Sequence, residues 1–287
     1  MNKNYIDLHT HSTASDGTFT PTELVDEARS TQLSAIALTD HDTVSGLDEF
    51  MTYGSNFQDL ITIPGCELSV SFSNREAHIV GLFIDRTSEP FLEFLSKIRD
   101  NRNKRNDLIL MKLQKNGYDI SKAELEEVST GESIGRPHFA KVLVKKGYFK
   151  QKQDVFDTIL KRGRSCYVAR TLPSPEEAIS SIHAAGGLAI WAHPIYRAKN
   201  ERSFVKKSLQ HLMQFGLDGI ESHYPLFTQY QHAIIKELAN EYNLLESGGS
   251  DFHGTNLKNV NLGTGKNNLA IPFDIYEKMI DRLNTEI

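Results

Sequence analysis

Cysteine is nearly absent from this 287-residue chain, which has two copies, Cys66 and Cys166. They form no Cys-x-x-Cys pair, so neither a disulfide framework nor a thiolate zinc site is indicated and both thiols are expected to be inert. Long apolar runs are also absent, since none approaches the roughly 20 residues that a membrane-spanning helix needs. The first residues carry no signal-peptide pattern. We therefore expect a cytoplasmic protein without a membrane partner.

The net charge is modest, at −5, but it is unevenly distributed. Residues 90–165 hold 17 Lys and Arg against 10 Asp and Glu, which makes this segment +7 and leaves −12 for the rest. Acidic side chains gathered round cations, and basic side chains facing an anionic substrate, would give this division. Solvated helix surfaces are the alternative explanation for most of the lysines.

The order of predicted elements indicates an α/β fold. Strand-like runs alternate with helix-like runs, and helix starts such as those at Thr20 and Ser174 combine an N-cap, a proline and a glutamate. This alternation is typical of βαβ units and a barrel. The predicted strands are residues 5–8, 35–39, 61–68, 77–84, 188–192, 219–223 and 244–247.

The alternation stops between residues 90 and 165, where the pattern becomes helical throughout. The predicted helices are residues 91–114, 121–128, 137–146 and 153–162. We predict that residues 90–165 form an inserted helical lobe for substrate binding, placed where it could cover one mouth of the barrel. Residues 1–89 and 166–287 are predicted to form the barrel.

The strongest chemical signal follows the first predicted strand, in the sequence Asp7-Leu8-His9-Thr10-His11-Ser12. Side chains two positions apart at a strand end project to the same side, so His9 and His11 can bind one ion or neighbouring ions. Asp16 can reach in from the next loop. A single His-x-His pair is weak evidence, because structural histidines at strand ends are common.

Further strand ends carry the same kinds of residue, and the carboxyl ends of parallel barrel strands meet at one face. His78 begins its strand, but its short connection from Glu67 indicates a hairpin that returns His78 to that face. Strand alternation turns Cys66 away from the side on which Glu67 lies. The predicted metal ligands are His9, His11, Asp16, His41, Glu67, His78, His193, Asp251 and His253.

Nine ligands indicate two or three divalent ions, because one ion uses three or four protein ligands. Imidazole and carboxylate without thiolate favour Mn, Fe or Zn. Clustered ions suit hydrolysis at phosphorus, because they generate hydroxide near neutral pH and neutralise charge on phosphate oxygens. Asp40 and Asp42 are candidate catalytic residues, one of them orienting a ligand histidine, although helix capping is an equally good explanation for either.

Candidate phosphate-binding residues lie mainly in the helical segment. Arg136 and His138 flank Pro137, which marks a helix start whose positive end suits an anion. Arg102 and Arg105 are three positions apart on the first predicted helix of the insert, and they face either the barrel mouth or water. His223 ends an apolar strand and is a candidate for binding phosphate or protonating a leaving group.

Together these motifs resemble the PHP (polymerase and histidinol phosphatase) family. The segments similar to its signatures are Asp-Leu-His-Thr-His-Ser with Ser-Asp-Gly, Thr-Asp-His-Asp, Gly-Cys-Glu, Ala-His-Pro and Ser-Asp-Phe-His. The insert with Gly-Arg-Pro-His resembles the subgroup that contains 3′,5′-nucleotide bisphosphate phosphatases and a ribonuclease. The resemblance implies a distorted seven-stranded (β/α)7 barrel and a trinuclear site on the nine residues. It also implies removal of a 3′-phosphate from nucleoside 3′,5′-bisphosphates, or 5′-3′ exonuclease activity on short RNA or DNA.

Three alternatives remain open. An amidohydrolase also uses His-x-His after its first strand, but its bridging lysine has no counterpart at the predicted strand ends. A histidinol-phosphate phosphatase is disfavoured by the Gly-Arg-Pro-His insert. A non-catalytic PHP module of the polymerase-associated kind would be expected to have lost ligands. We therefore expect a nucleotide or short oligonucleotide substrate, no obligate protein partner and a monomer.

Overall fold

In this computed structural model, which describes residues 4–73, 75–128, 134–195 and 201–285, seven strands form one sheet. Each strand pairs with the next along the chain. Strand β4 is antiparallel to both of its neighbours, and all other pairs are parallel. The strands are β1 (Tyr5–Asp7), β2 (Leu33–Leu38), β3 (Ile61–Phe72), β4 (Arg75–Leu82), β5 (Leu188–Ala192), β6 (Gly219–His223) and β7 (Leu245–Gly248). The α/β prediction and the hairpin that returns His78 are confirmed.

Backbone hydrogen bonds also connect the first strand to the end of the last. The N–H of Leu8 donates to the carbonyl of Gly248 at 3.1 Å. Further along the same two segments, Thr10 and Phe252 form a parallel β-bridge. The sheet is therefore curled so that β1 and β7 lie side by side, as a barrel requires.

Apolar side chains on the inner faces of the strands fill the interior. Ile6 and Leu8 of the first strand region, Ala35 of β2 and Ile190 of β5 belong to one buried cluster. Strands covered on both faces read as continuous apolar runs, which is why these segments were recognisable as strands in the sequence.

Helices surround the sheet, and several begin where the sequence indicates. Thr20 and Ser174 each accept a hydrogen bond from the N–H three residues on, and the glutamate there bonds back to the cap. Such a cap stabilises a helix by about 1 kcal/mol. The helices in the described residues are α1 (Pro21–Ser30), α2 (Leu47–Gly54), α3 (Glu89–Lys115), α4 (Lys122–Val128), α5 (Arg136–Lys145), α6 (Lys152–Val155), α7 (Pro175–Ala184), α8 (Glu201–Leu212), α9 (Gln229–Glu241) and α10 (Asp274–Thr285).

The chain divides into two compact units. One consists of Met1–Phe94 with Pro173–Ile287, and the other is Leu95–Leu172. The second unit is helical and has its own core, in which Phe139 of α5 packs with Ile109 and Leu113 of α3. Helix α6 continues into a π-helical turn, Phe156–Leu160, in place of the single helix expected over residues 153–162. The predicted domain limits at residues 90 and 165 stay a prediction.

Membrane association through a helix was not expected from the sequence. In the part of the chain that the structure describes, no helix combines the length and the apolar character needed to cross a bilayer.

Candidate metal centre

The buried carboxylate of Glu67 lies at the centre of the predicted ligand set. It belongs to β3, and His41 forms a parallel bridge with it from the loop after β2. Five histidine rings contact its two oxygens. Oε2 lies 3.3 Å from Nε2 of His9, 3.3 Å from Nε2 of His11 and 3.0 Å from Nδ1 of His41, and Oε1 lies 2.7 Å from Nδ1 of His78 and 3.0 Å from Nε2 of His193.

Two further carboxylates of the predicted set contact His11 and His253. Oδ1 of Asp251 lies 3.2 Å from Nε2 of His11 and 3.6 Å from Nδ1 of His253. Asp16 contacts Nε2 of His253 through Oδ1 at 3.3 Å. The structure therefore brings all nine predicted ligands together.

Eight of these nine side chains form three overlapping groups in which the ligand atoms lie within 4.8 Å of one another. The groups are His11, Asp16, His41 and His253; His9, His11, Glu67 and Asp251; and His41, Glu67 and His78. Each pair of groups shares one residue. A carboxylate such as Glu67 has two oxygens, so it can serve two groups at once.

Partnerless polar atoms indicate that these residues fit bound cations. Within the described residues, seven buried side-chain N and O atoms have no hydrogen-bond partner, and five of them belong to this cluster. The five are Nε2 of His9, both ring nitrogens of His11, Nδ1 of His41 and Oε2 of Glu67. Leaving one such atom unsatisfied costs about 1–3 kcal/mol, and coordination to a metal ion would remove that cost.

Burial and ion pairing shift the pKa values of the cluster in different directions. Burial lowers the pKa of His11 to about 3, and the charge of His253 adds to the shift. Burial also lowers the pKa of His78, but the Glu67 carboxylate outweighs it and raises the value to about 10. Although burial raises the pKa of Glu67, the surrounding histidines hold it well below its usual range. Protons on histidines such as His78 thus balance the negative charge of the carboxylates, and a bound cation would take the place of those protons.

Three residues after the strand ends adopt left-handed backbone conformations that side chains usually avoid. The φ angles are 54° at Asp42, 31° at His193 and 55° at Asp251. Each such residue costs on the order of 1–3 kcal/mol and persists only when its surroundings hold it. The N–H of Asp42 donates to the carbonyl of Glu67, and that of Asp251 donates to the carbonyl of His9, both at 2.9 Å.

Strand β6 and the residue after it provide two contacts that sequence reasoning missed. Glu221 is buried, and its Oε1 lies 3.1 Å from Nδ1 of His9. The hydroxyl of Tyr224 donates to Oδ2 of Asp251 at 2.9 Å. One signal was present in the sequence, because Glu221 lies two positions before His223 on the same predicted strand, where an inward-facing carboxylate is unusual.

The predicted catalytic residue His223 contacts other partners. In the described part of the chain its Nδ1 lies 3.0 Å from Oγ of Ser222, and its ring lies 6.0 Å from that of His232. Burial lowers its pKa, and the charge of Lys236 adds to the shift. No described contact joins His223 to the nine ligands, so its catalytic role stays a prediction.

The two predicted catalytic aspartates hold backbone segments near the centre. Asp40 accepts hydrogen bonds from the N–H of Ser12 at 2.8 Å and from its hydroxyl at 2.6 Å. Asp42 accepts the N–H of Ser69 at 2.9 Å. Asp40 therefore orders the loop after β1, whereas Glu221 is the carboxylate that contacts Nδ1 of His9.

The predicted phosphate-binding arginines lie together in the helical unit. Arg105 is only 6% exposed, and its Nε donates to the carbonyl of Val168 at 3.0 Å. Burial lowers the pKa of its guanidinium to about 10, and three nearby arginines add to the shift. These are Arg136, Arg170 and Arg102. Arg170 was not predicted from the sequence.

The start of α5 follows the prediction made from Pro137. Nδ1 of His138 accepts the N–H of Gly135 at 3.0 Å, which caps the helix. Beside it, the guanidinium of Arg136 lies 5.9 Å from the centre of the Tyr167 ring. Arg136 thus lies at the N-terminus of α5, the positive end of the helix dipole, and near an aromatic ring.

Comparison with known proteins identifies the class to which this fold and site belong. The profile of the PHP domain matches residues 7–165. A 5′-3′ exoribonuclease of Haemophilus influenzae is 38% identical over 257 residues, which cover 88% of this chain and 91% of the relative. A 3′,5′-nucleoside bisphosphate phosphatase of Chromobacterium violaceum is 34% identical over 252 residues, covering 86% and 87%.

A solved structure agrees with these relatives. It is a protein of Bifidobacterium adolescentis described as a metal-dependent phosphoesterase, with a TM-score of 0.82 and 28% identity. The match covers 97% of this chain and 96% of that one. The chain belongs to the PHP family, and it is a metal-dependent phosphoesterase of that family.

Proposed function

We propose that this chain hydrolyses phosphate esters of nucleotides. It removes the 3′-phosphate of nucleoside 3′,5′-bisphosphates, releases 5′ nucleotides one at a time from short RNA or DNA, or does both. The observation that carries this proposal is the contact of five histidine rings with the buried carboxylate of Glu67, within a cluster where five buried polar atoms have no hydrogen-bond partner. The names of the two relatives support a nucleotide substrate.

The three overlapping ligand groups support a site for three divalent ions, with Mn, Fe or Zn as the candidates. Glu67 would be a ligand in two of the groups, and His193, whose ring contacts Glu67, would add a further ligand. When bound, such ions supply hydroxide near neutral pH and neutralise charge on phosphate oxygens. The protein holds its ligands ready for this chemistry by burying His9, His11 and Glu67 and by hydrogen-bonding the backbone of His193 and Asp251.

The arginine cluster supports the choice of an anionic substrate. Arg102, Arg136 and Arg170 lie close enough to Arg105 to lower the pKa of its guanidinium, and such a concentration of positive charge attracts an anion. Guanidinium groups bind phosphate through paired hydrogen bonds, and burial strengthens each of them. We assign phosphate binding to these four residues together with His138 at the start of α5.

His223 is the remaining candidate for proton transfer. Because burial lowers its pKa, its imidazole is neutral near pH 7 and can accept a proton, and the imidazolium formed in this way could pass that proton to a leaving oxygen. Its contact with Ser222 would orient the ring for either role.

Three substrates assayed side by side test the proposal. Mn-loaded protein is incubated with adenosine 3′,5′-bisphosphate, with a 5′-phosphorylated RNA pentamer and with histidinol phosphate, and released phosphate and nucleotide are measured. We expect turnover of one or both of the first two. His9→Ala and Asp251→Ala are expected to abolish it. Full activity of either variant in metal-replete protein, or turnover of histidinol phosphate alone, would contradict the proposal.

A second experiment tests the arginine cluster. Arg136→Gln is expected to raise KM for the bisphosphate about 10- to 100-fold, the equivalent of one charged hydrogen bond of about 1.5–3 kcal/mol. Arg164→Gln, at an exposed position of the same helical unit, is the matched control and is expected to leave KM unchanged. Equal KM values for both variants would show that the cluster does not bind substrate.

A further inference from the structure

Strand β6 contributes none of the nine ligand-type side chains, yet the side chain of Glu221 projects from it into their cluster. The residue is 2% exposed, and both of its oxygens have partners there. A buried carboxylate is costly unless its bonds are well formed. Its position among metal ligands therefore needs an explanation.

The first oxygen of Glu221 determines which nitrogen of His9 carries a proton. Oε1 lies 3.1 Å from Nδ1 of His9, and a carboxylate is an acceptor only, so Nδ1 must be the protonated donor. In the neutral ring, Nε2 then keeps its lone pair. That atom faces Oε2 of Glu67 at 3.3 Å and Oδ1 of Asp251 at 3.7 Å, within one of the ligand groups.

The second oxygen of Glu221 holds the backbone of another ligand. Oε2 accepts the N–H of His193 at 2.7 Å. This is the residue with a φ of 31°, a strained conformation that a short hydrogen bond helps to retain. The ring of His193 in turn reaches Oε1 of Glu67 at 3.0 Å. One carboxylate thus connects a ligand after β1 with a ligand after β5.

We propose that Glu221 is a positioning residue for the metal centre. It fixes the tautomer of His9 so that Nε2 is available to an ion, and it holds His193 in its strained conformation. This inference extends the proposed function. It rests on that function only for the reaction that the bound metal serves.

Glu221→Gln separates this role from simple packing. The amide has the same shape, and its oxygen can still accept the N–H of His193. Its NH2 group then faces Nδ1 of His9 and donates to it, which moves the ring proton to Nε2 and blocks that nitrogen. A substitution that preserves volume should therefore weaken metal binding.

The chain offers a matched control next to the same strand. Asp218 directly precedes β6, and its Oδ2 lies 2.8 Å from Nε2 of His183 and accepts the N–H of Ala189 at 2.7 Å. It has the same chemistry as Glu221, a carboxylate between a histidine ring and a backbone N–H, but it lies before the first residue of β6. Asp218→Asn is expected to leave metal affinity unchanged.

Metal affinity is measured by chelator competition with Zn and with Mn in the absence of substrate. We expect Glu221→Gln to weaken binding by about 10- to 100-fold, the usual effect of losing such a partner of a ligand histidine. Imidazole nitrogen NMR of Zn-loaded wild-type protein is expected to show His9 protonated at Nδ1, and this measurement requires no variant.

Wild-type affinity in Glu221→Gln, or His9 protonated at Nε2 in the wild type, would overturn the inference. An equal loss in Asp218→Asn would also overturn it, because the effect would then be general to buried carboxylates. Wild-type protein that binds metal but hydrolyses no nucleotide would contradict the proposed function, while an affinity loss confined to Glu221→Gln would still support the inference.

Discussion

Substitution of different ligand residues should remove different numbers of metal ions, because the three ligand groups share residues. Glu67 belongs to two groups, whereas Asp16 belongs to one. If each group holds one ion, Glu67→Gln should reduce the bound metal from three ions per chain to about one. Asp16→Asn should reduce it from three to about two.

The chemistry of the two substitutions supports these numbers. Glutamine preserves the volume of Glu67, but its neutral amide is a poorer ligand for Mn, Fe or Zn than a carboxylate. It also removes the negative charge beside five histidine rings. The side chain of Asp16 is 56% exposed, so its replacement should disturb little beyond its own group.

Metal counting after gel filtration tests this prediction. Metal-free protein is incubated with excess Mn or Zn, desalted and measured by plasma mass spectrometry against protein concentration. Asp59→Asn, at an exposed carboxylate paired with Arg29 at 3.3 Å, is the control and should keep the full number of ions. Equal losses in the Asp16 and Glu67 variants would refute the reasoning, because the groups would then fill and empty as one unit.

Three further predictions concern contacts, pH and packing. Tyr224→Phe removes the hydrogen bond to Asp251, and such a bond contributes about 1.5–3 kcal/mol. Chelator competition should therefore show a metal affinity at least about 10-fold lower than in the wild type. Unchanged affinity would contradict this role. In metal-free protein, burial lowers the pKa values of His78 and His253, but nearby carboxylates outweigh it and raise them to about 10 and about 9. Their stabilisation is therefore complete below about pH 6.5 and lost as pH rises through 9 to 10. Thermal melts at pH 6.5 and 9.5 should show this loss, and bound metal should reduce it; equal melting temperatures in metal-free protein would refute it. Phe139→Ala should cost about 3–5 kcal/mol in denaturant unfolding, because the ring is fully buried in the helical unit, and a loss below about 1 kcal/mol would contradict that packing.

Local patterns were sufficient to predict most of the elements and the residues that gather in the candidate metal centre. Strands buried on both faces produce continuous apolar runs, and the helix starts at Thr20 and Ser174 depend on residues within one turn. The ligand histidines were recognisable because they directly follow, or directly begin, such runs. His78 needed one additional argument, the short hairpin, and the antiparallel pairing of β3 and β4 confirms it.

The sequence by itself determined the α/β class, the approximate strand limits and the identity of the nine ligand-type residues, because each of these depends on neighbours in the chain. The tertiary structure alone decided which side chains orient those ligands. Glu221 contacts His9 across 212 residues of sequence, and the Tyr224 hydroxyl meets Asp251 from a different strand end. Such contacts depend on how the sheet curls to bring its strand ends together, and hydrophobic periodicity carries no information about which polar side chains then meet.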